Sequence, residues 1–134
     1  MKLKSYLTFN GQAEEALMFY AEVFGGTVNI CVRYGEYAEI NAPDDYKEKI
    51  VHAELLFGGC EINAADTLPR TKADFGTIGH TLTIFCDTEA QIKDFYNKLA
   101  ESGKISCELQ TTGFAKFYAE IYDRFGVLWA LIIE

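Results

Sequence analysis

Phe9-Asn10-Gly11, an amphipathic stretch carrying Phe19-Tyr20, and a stop at Gly25-Gly26 return later in the chain as Phe85-Cys86-Asp87, a second amphipathic stretch carrying Phe95-Tyr96, and a stop at Gly103. The leading phenylalanines are 76 positions apart (85 − 9), and so are the Phe-Tyr pairs (95 − 19). A second echo follows each stretch. Ala53-Glu54-Leu55 runs into Gly58-Gly59, and Ala119-Glu120-Ile121 runs into Phe125-Gly126, now at an offset of 66 (119 − 53). The unit is duplicated, with loops of unequal length. A unit of about 60 residues buries its own apolar face poorly, so the repeat predicts two modules that share one core and a cleft at their seam.

Periodicity fills in the elements around the repeat. Residues 2–9 read as a strand, and residues 12–24 as a helix with Ala16, Leu17, Tyr20, Val23 and Phe24 on its apolar face. Strands follow at 27–34, 50–57 and 60–65. Module two repeats the order, with a strand at 80–86, a helix at about 88–102 capped by Asp87-Thr88, and strands near 105–111, 116–122 and 127–133. Ile92, Phe95, Tyr96 and Leu99 form its stripe, and residues 66–79 read as the connector. The expected fold is α+β in a single domain over 1–134: two tandem βαβββ modules, about 1–66 and 78–134, in a curved, mostly antiparallel half-barrel sheet with a helix outside each module.

A chain of 134 residues with 49% hydrophobic content has enough apolar material for an ordinary core. Its formal charge of −8 argues against nucleic acid and against an anionic membrane, both of which need clustered lysine and arginine. No apolar run approaches the ~18 residues of a membrane span, and Met1-Lys2-Leu3-Lys4 leads straight into a strand instead of a signal peptide; a cytoplasmic location is expected. Cys31, Cys60, Cys86 and Cys107 form no C-x-x-C pair and read as small buried hydrophobes in a reducing compartment.

Tyr6-Leu7-Thr8-Phe9-Asn10-Gly11, Glu15-Ala16, Phe19-Tyr20, Val23-Phe24-Gly25-Gly26, His52-Ala53-Glu54-Leu55 and Asp123-Arg124-Phe125-Gly126-Val127-Leu128-Trp129 together resemble the PhnB-like branch of the glyoxalase/bleomycin-resistance/dihydroxybiphenyl dioxygenase (vicinal oxygen chelate) superfamily. The resemblance implies paired βαβββ modules, a ligand site in the concavity and a homodimer. Metal-dependent lyases, isomerases and ring-cleaving dioxygenases belong to that superfamily, as do metal-free proteins that sequester an antibiotic, so the fold alone leaves the chemistry open.

In the metal-dependent members four ligands point inward, one from the first and one from the last strand of each module. His80 falls on one such position, and its counterpart is Lys4 (80 − 76), or Ser5 if the registers differ by one. Counting four past the turns gives Asn63 after Gly59 and Ala130 after Gly126. Only His80 is a good donor, so no metal and no cofactor are expected.

A different polar set has the spacing to line the concavity. His52 and Glu54 share one face of a strand, and the offset of 66 pairs them with Tyr118 and Glu120, with Tyr122 next on that face. Carboxylates, tyrosines and histidines brought together in an apolar cleft can do acid–base work. The same residues on a solvated strand face would simply pair across strands. Phe19, Tyr20, Phe95, Tyr96 and Trp129 read as core; Tyr34, Tyr37, Phe114 and Phe117 suit either packing or a pocket wall; residues 44–48 read as a solvated acidic loop.

The expected function is small-molecule binding without the usual metal, with His52, Tyr118, Tyr122 and His80 touching the ligand and Glu54 and Glu120 as the candidate catalytic carboxylates. The alternative is a lyase or isomerase with Glu54 or Glu120 as general base, and a third reading is a purely structural or interaction module. A methyltransferase is not expected, because no G-x-G-x-x-G follows a parallel-type strand. The apolar run 127–133 favours a homodimer.

Overall fold

A computed structural model describes residues 1–75 and 79–134. The chain forms β1 (Ser5–Phe9), α1 (Ala13–Phe24), β2 (Thr27–Arg33), β3 (Ile50–Phe57), β4 (Cys60–Asp66), β5 (Leu82–Phe85), α2 (Glu89–Ala100), β6 (Lys104–Gln110), β7 (Phe117–Tyr122) and β8 (Leu128–Ile133). It divides into two compact units, Met1–Ala73 and Asp74–Glu134. Each is a β-α-β-β-β module, giving the tandem α+β fold that the repeat predicts.

Each module has its own four-stranded sheet, in the order β1-β4-β3-β2 and β5-β8-β7-β6. The first strand runs parallel to the last, and the other pairings are antiparallel. This order follows from the helix: α1 carries the chain from one edge of the sheet to the other, and the hairpin β3-β4 then fills the gap.

The helices cover one face of each sheet. Ala13, Ala16, Leu17, Tyr20 and Val23 of α1 are buried, and on β3 the alternate residues Ala53, Leu55 and Phe57 are buried beneath it. In α2 the buried stripe is narrower, Ile92 and Leu99. Phe19, Phe95 and Tyr96 are half-buried instead of central: Phe19 stands one step off the buried line of α1, whereas Phe95 and Tyr96 share the stripe of Ile92 and Leu99 but lie at its less covered part. Tyr20 and Trp129 are fully buried, as expected.

The two-glycine stop after α1 serves two separate needs. Gly25 takes the left-handed conformation that ends the helix (φ 72°), whereas a Cβ on Gly26 would sit 2.7 Å from the Leu56 carbonyl oxygen. Module two keeps the second glycine as Gly103 but puts Ser102 in the left-handed position (φ 59°). Ser102→Gly should therefore stabilise the protein by about 0.5–1 kcal/mol, read as a higher urea midpoint.

Three expectations change here. Residues 67–73 do not act as a loose connector: Thr67 N–H donates to the Phe9 carbonyl (2.7 Å), Tyr34 and Tyr46 hydroxyls donate to the Thr67 carbonyl, and the Asn10 amide pairs with both backbone groups of Ala73. Residues 76–78 of that expected connector lie outside the described residues. The strand expected at 80–86 is Leu82–Phe85, leaving His80 before it and exposed. Most of the apolar run 127–133 is buried within the chain itself, in β8 between β5 and β7 and in Val127 just before it, so its hydrophobicity is accounted for by burial in the chain. Among the described residues no helix is long and apolar enough to cross a membrane.

Candidate functional site

Strand alternation turns His52, Glu54 and Leu56 away from α1, onto the open face of the first sheet. The register lines up Tyr6 on β1, Asn63 on β4, Glu54 on β3 and Asn29 on β2 as one row across that face. Ile30 pairs with Ala53 and Val32 with His52, so Cys31 is an extra residue at an irregularity in the ladder. Such a bulge re-aims a side chain, and the Cys31 thiol joins His52 and Glu54. One donor atom from each of the three lies within 4.8 Å of the others.

His52 is held from both sides. The Tyr6 hydroxyl is 3.0 Å from Nδ1 and the two rings stack with centroids 5.8 Å apart, while Nε2 lies 3.6 Å from a Glu54 carboxylate oxygen. Partial desolvation, and then the Cys31 thiol, raise the Tyr6 phenol. Desolvation, followed by the Glu54 carboxylate, also raises the Cys31 thiol, and Lys4 pulls it back. Lys4 is itself paired with the Glu61 carboxylate, a bond that raises Lys4 and lowers Glu61. Asn63 is only 6% exposed, and its Oδ1 is buried without a hydrogen-bond partner among the described residues.

Module two repeats the row as Thr83, Ala130, Glu120 and Cys107. Tyr118 stands where module one has His52, and its hydroxyl donates to Glu120 at 2.6 Å. That hydrogen bond, helped by desolvation, pushes the Tyr118 phenol up to about 12. Phe114 meets the Tyr118 ring edge-on at 5.1 Å, and the Gln110 amide donates to Cys107 Sγ at 3.2 Å. Tyr122, half-buried, follows on the same face, across from Lys104.

The Tyr118 shift has a testable sign. The unfolded chain releases this proton near 10.0 and the folded one near 12, so stability falls as pH rises through that window. Glu120→Gln removes the main cause. Tyrosinate absorbance should then show one phenol titrating closer to 10.0, and the alkaline loss of stability should be shallower.

The superfamily's metal positions are populated differently from the expectation of Lys4 or Ser5, Asn63, His80 and Ala130. The first-strand residue opposite Asn63 is Tyr6, and the one opposite Ala130 is Thr83, an offset of 77 (83 − 6). Ser5 pairs with Ile62 and takes the helix-side face, and Lys4 precedes β1. A phenol turned to His52, an amide, a hydroxyl and a methyl group do not fit a divalent ion at these positions. His80 takes no part in the one cluster of three or more His, Cys, Asp or Glu donors found among the described residues, which is Cys31, His52 and Glu54.

The structure therefore brings His52 together with Glu54, and Tyr118 with Glu120, each pair inside its own module. Sequence reasoning missed Tyr6 and Cys31, although Cys31 and Cys107 carry the repeat's own offset (107 − 31 = 76). Of the four cysteines only Cys86 is buried, its thiol pushed up to about 11 by burial. Tyr34 and Tyr46 fasten the 35–48 loop through their hydroxyls, so residues 44–48 are not simply solvated. A groove of about 540 Å³ flanks that loop, lined by Glu39, Ile40, Asn41, Pro43, Leu68 and Arg70, and it includes neither His52 nor Glu54.

Comparison with known proteins agrees with this architecture. The profile of the 3-demethylubiquinone-9 3-methyltransferase family matches residues 1–132. The structure of protein PA1353 from Pseudomonas aeruginosa is 32% identical, covering 100% of this chain and 98% of that one, with a TM-score of 0.87. A PhnB protein from Bacillus cereus is 29% identical over 100% of both chains, with a TM-score of 0.81. The fold alone recurs in a glyoxylase/bleomycin resistance protein/dioxygenase domain from Frankia, 14% identical over 99% of this chain and 90% of that one, with a TM-score of 0.67. The chain belongs to the 3-demethylubiquinone-9 3-methyltransferase family, is similar to a PhnB protein, and shares its fold with a glyoxylase/bleomycin resistance protein/dioxygenase domain.

Proposed function

We propose that the protein binds a small molecule on its open sheet faces and does so without the metal quartet used elsewhere in the superfamily. The observation that carries this reading is the polar face of module one, where an imidazole, a carboxylate, a phenol and an unpartnered buried amide oxygen occupy adjacent positions. His52 and Glu54 on one module, and Tyr118, Tyr122 and Glu120 on the other, supply orienting groups, with His80 at the entry to β5. Methyl transfer has weaker support despite the family's description. G-x-G-x-x-G is missing from the sequence, and helix α1 links strands at opposite edges of the sheet instead of the adjacent parallel strands of a nucleotide-binding crossover.

Thermal-shift screening of chelator-treated protein against small aromatic and antibiotic-like compounds tests the proposal. A compound at a hundredfold excess over its Kd should add about 2.7 kcal/mol of stability. The shift should shrink in Glu54→Gln and Glu120→Gln variants; a shift untouched by both would overturn the assignment of the face.

The 3.6 Å approach of His52 to Glu54 favours a second reading, a lyase or isomerase with Glu54 or Glu120 as general base. The double replacement by glutamine should then abolish turnover and leave stability nearly intact, whereas undiminished turnover would dispose of it. The family resemblance leads us to propose a homodimer as well, for which sedimentation at twice the 15.1 kDa chain mass is the expected result.

A further inference from the structure

We propose that module one carries a divalent-cation site of its own, formed by Cys31, His52 and Glu54 on β2 and β3, for a borderline-soft ion of the Zn²⁺ or Co²⁺ type. This site is separate from the first- and last-strand positions of the superfamily's metal, and it does not depend on the small-molecule reading. Thiolate, imidazole and carboxylate are the three donor types that together suit such an ion. Their donor atoms already lie within 4.8 Å of one another, and the His52 to Glu54 edge is 3.6 Å. Zinc bond lengths place donors ~3.3–3.6 Å apart on a tetrahedron. Cys31 is exposed, and its Sγ makes only long contacts to Asn29, with the side-chain amide at 3.5 Å and the carbonyl at 3.8 Å, which metal binding would replace.

Two further features point the same way. The Tyr6 hydroxyl engages Nδ1 of His52 and its ring stacks on the imidazole, leaving Nε2 toward Glu54; an outer partner of this kind fixes the tautomer and orientation of a ligating histidine. Directly across from Glu54 stands Asn63, over nine-tenths buried, with its Oδ1 unpartnered. A water completing the tetrahedron would give that oxygen the hydrogen bond it lacks. Lys4, the cation facing Glu54 and Cys31, is already neutralised by Glu61. On binding, the ion displaces the Cys31 thiol proton to solvent, and the resulting thiolate and carboxylate balance its charge.

Module two is an internal control. It keeps the Cys–Glu pair as Cys107 and Glu120 but has Tyr118 in place of the histidine, and that hydroxyl occupies the carboxylate. The test is a Co²⁺ titration of full-length, reduced, chelator-stripped protein followed by absorbance. The expected result is a tetrahedral d–d spectrum with a thiolate-to-cobalt charge-transfer band that saturates at one ion per chain and disappears on adding Zn²⁺. Cys31→Ser should lose the charge-transfer band, Tyr6→Phe should weaken binding about 10-fold or more, and Cys107→Ser should leave the titration unchanged. Circular dichroism confirms that each variant is folded. A folded wild type without the band at saturating Co²⁺, a band that survives Cys31→Ser, or one that vanishes in Cys107→Ser would each overturn the proposal. Because the ligand screen is run in chelator, its failure and failure of this site are read separately.

Discussion

Asp123→Ala should lose about 3–5 kcal/mol of stability, seen as a large drop in the urea midpoint reported by the fluorescence of Trp129, the chain's only tryptophan. The carboxylate is 4% exposed and fully engaged. One oxygen accepts from the Phe125 N–H (2.8 Å) and the Val127 N–H (3.1 Å), and the other accepts from the indole Nε1 of Trp129 (2.8 Å). Each hydrogen bond to a charged group contributes ~1.5–3 kcal/mol, offset in part by the cost of burying the carboxylate. Alanine leaves these donors without that acceptor inside the turn that joins β7 to β8, and it frees the largest core side chain to move. Asp123→Asn retains an acceptor oxygen and should cost clearly less. Equal losses for the two variants would mean that shape, not hydrogen bonding, holds the turn.

Module one uses a different fastener. Asp66, at the end of β4, accepts from the Ala13 N–H at the start of α1 and from the Ile50 N–H at the start of β3, both at 2.9 Å. The buried aspartates are not at equivalent positions, so comparing the two copies in sequence could not find them. Asp66 reads as the first residue of a polar connector, and only the structure shows that it closes three elements on each other.

The repeat made the module order and the helix-facing residues legible, because apolar alternation and helix stops are local signals. It did not settle which first-strand residue faces the open surface. An offset of 76, taken from the helices and their leading phenylalanines, is one short of the strand offset of 77, and a slip of one residue turns a side chain to the other face. The larger displacement comes from the strand start: the sequence pattern begins the second module's first strand at His80, whereas β5 begins at Leu82. The open-face residues are therefore Thr83 and, in module one, Tyr6, three past His80 and two past Lys4. His52 and Glu54 were legible as neighbours by simple alternation. Cys31 was not, because its aim depends on an irregular ladder between β2 and β3, and no single-strand pattern encodes an irregular partner.

Gly103→Ala should cost more than replacement of any other glycine whose surroundings are described, about 2–4 kcal/mol, although its backbone needs no left-handed conformation. A Cβ there would overlap the Tyr122 carbonyl oxygen and come within 3.0 Å of the Leu99 carbonyl and 3.2 Å of Asp123 Cα. These are backbone atoms of two elements, with no flexible side chain to swing aside. Relief requires separating β6 from β7 at the Lys104–Tyr122 pair, the end of the ladder that also holds Glu120 and Tyr118. Gly25→Ala is the informative contrast, with open space around its Cβ but a φ of 72°, so its cost should stay near 1 kcal/mol. Chemical denaturation of both variants, with tyrosinate titration of Gly103→Ala, separates the two causes. If close approach dominates, Gly103→Ala loses more stability and also moves the Tyr118 phenol from about 12, because the ladder that sets its bond to Glu120 has shifted. If Gly25→Ala costs more and the phenol stays in place, the helix exit is governed by backbone conformation, and the glycine shared by the two modules is not what seats each helix against its sheet.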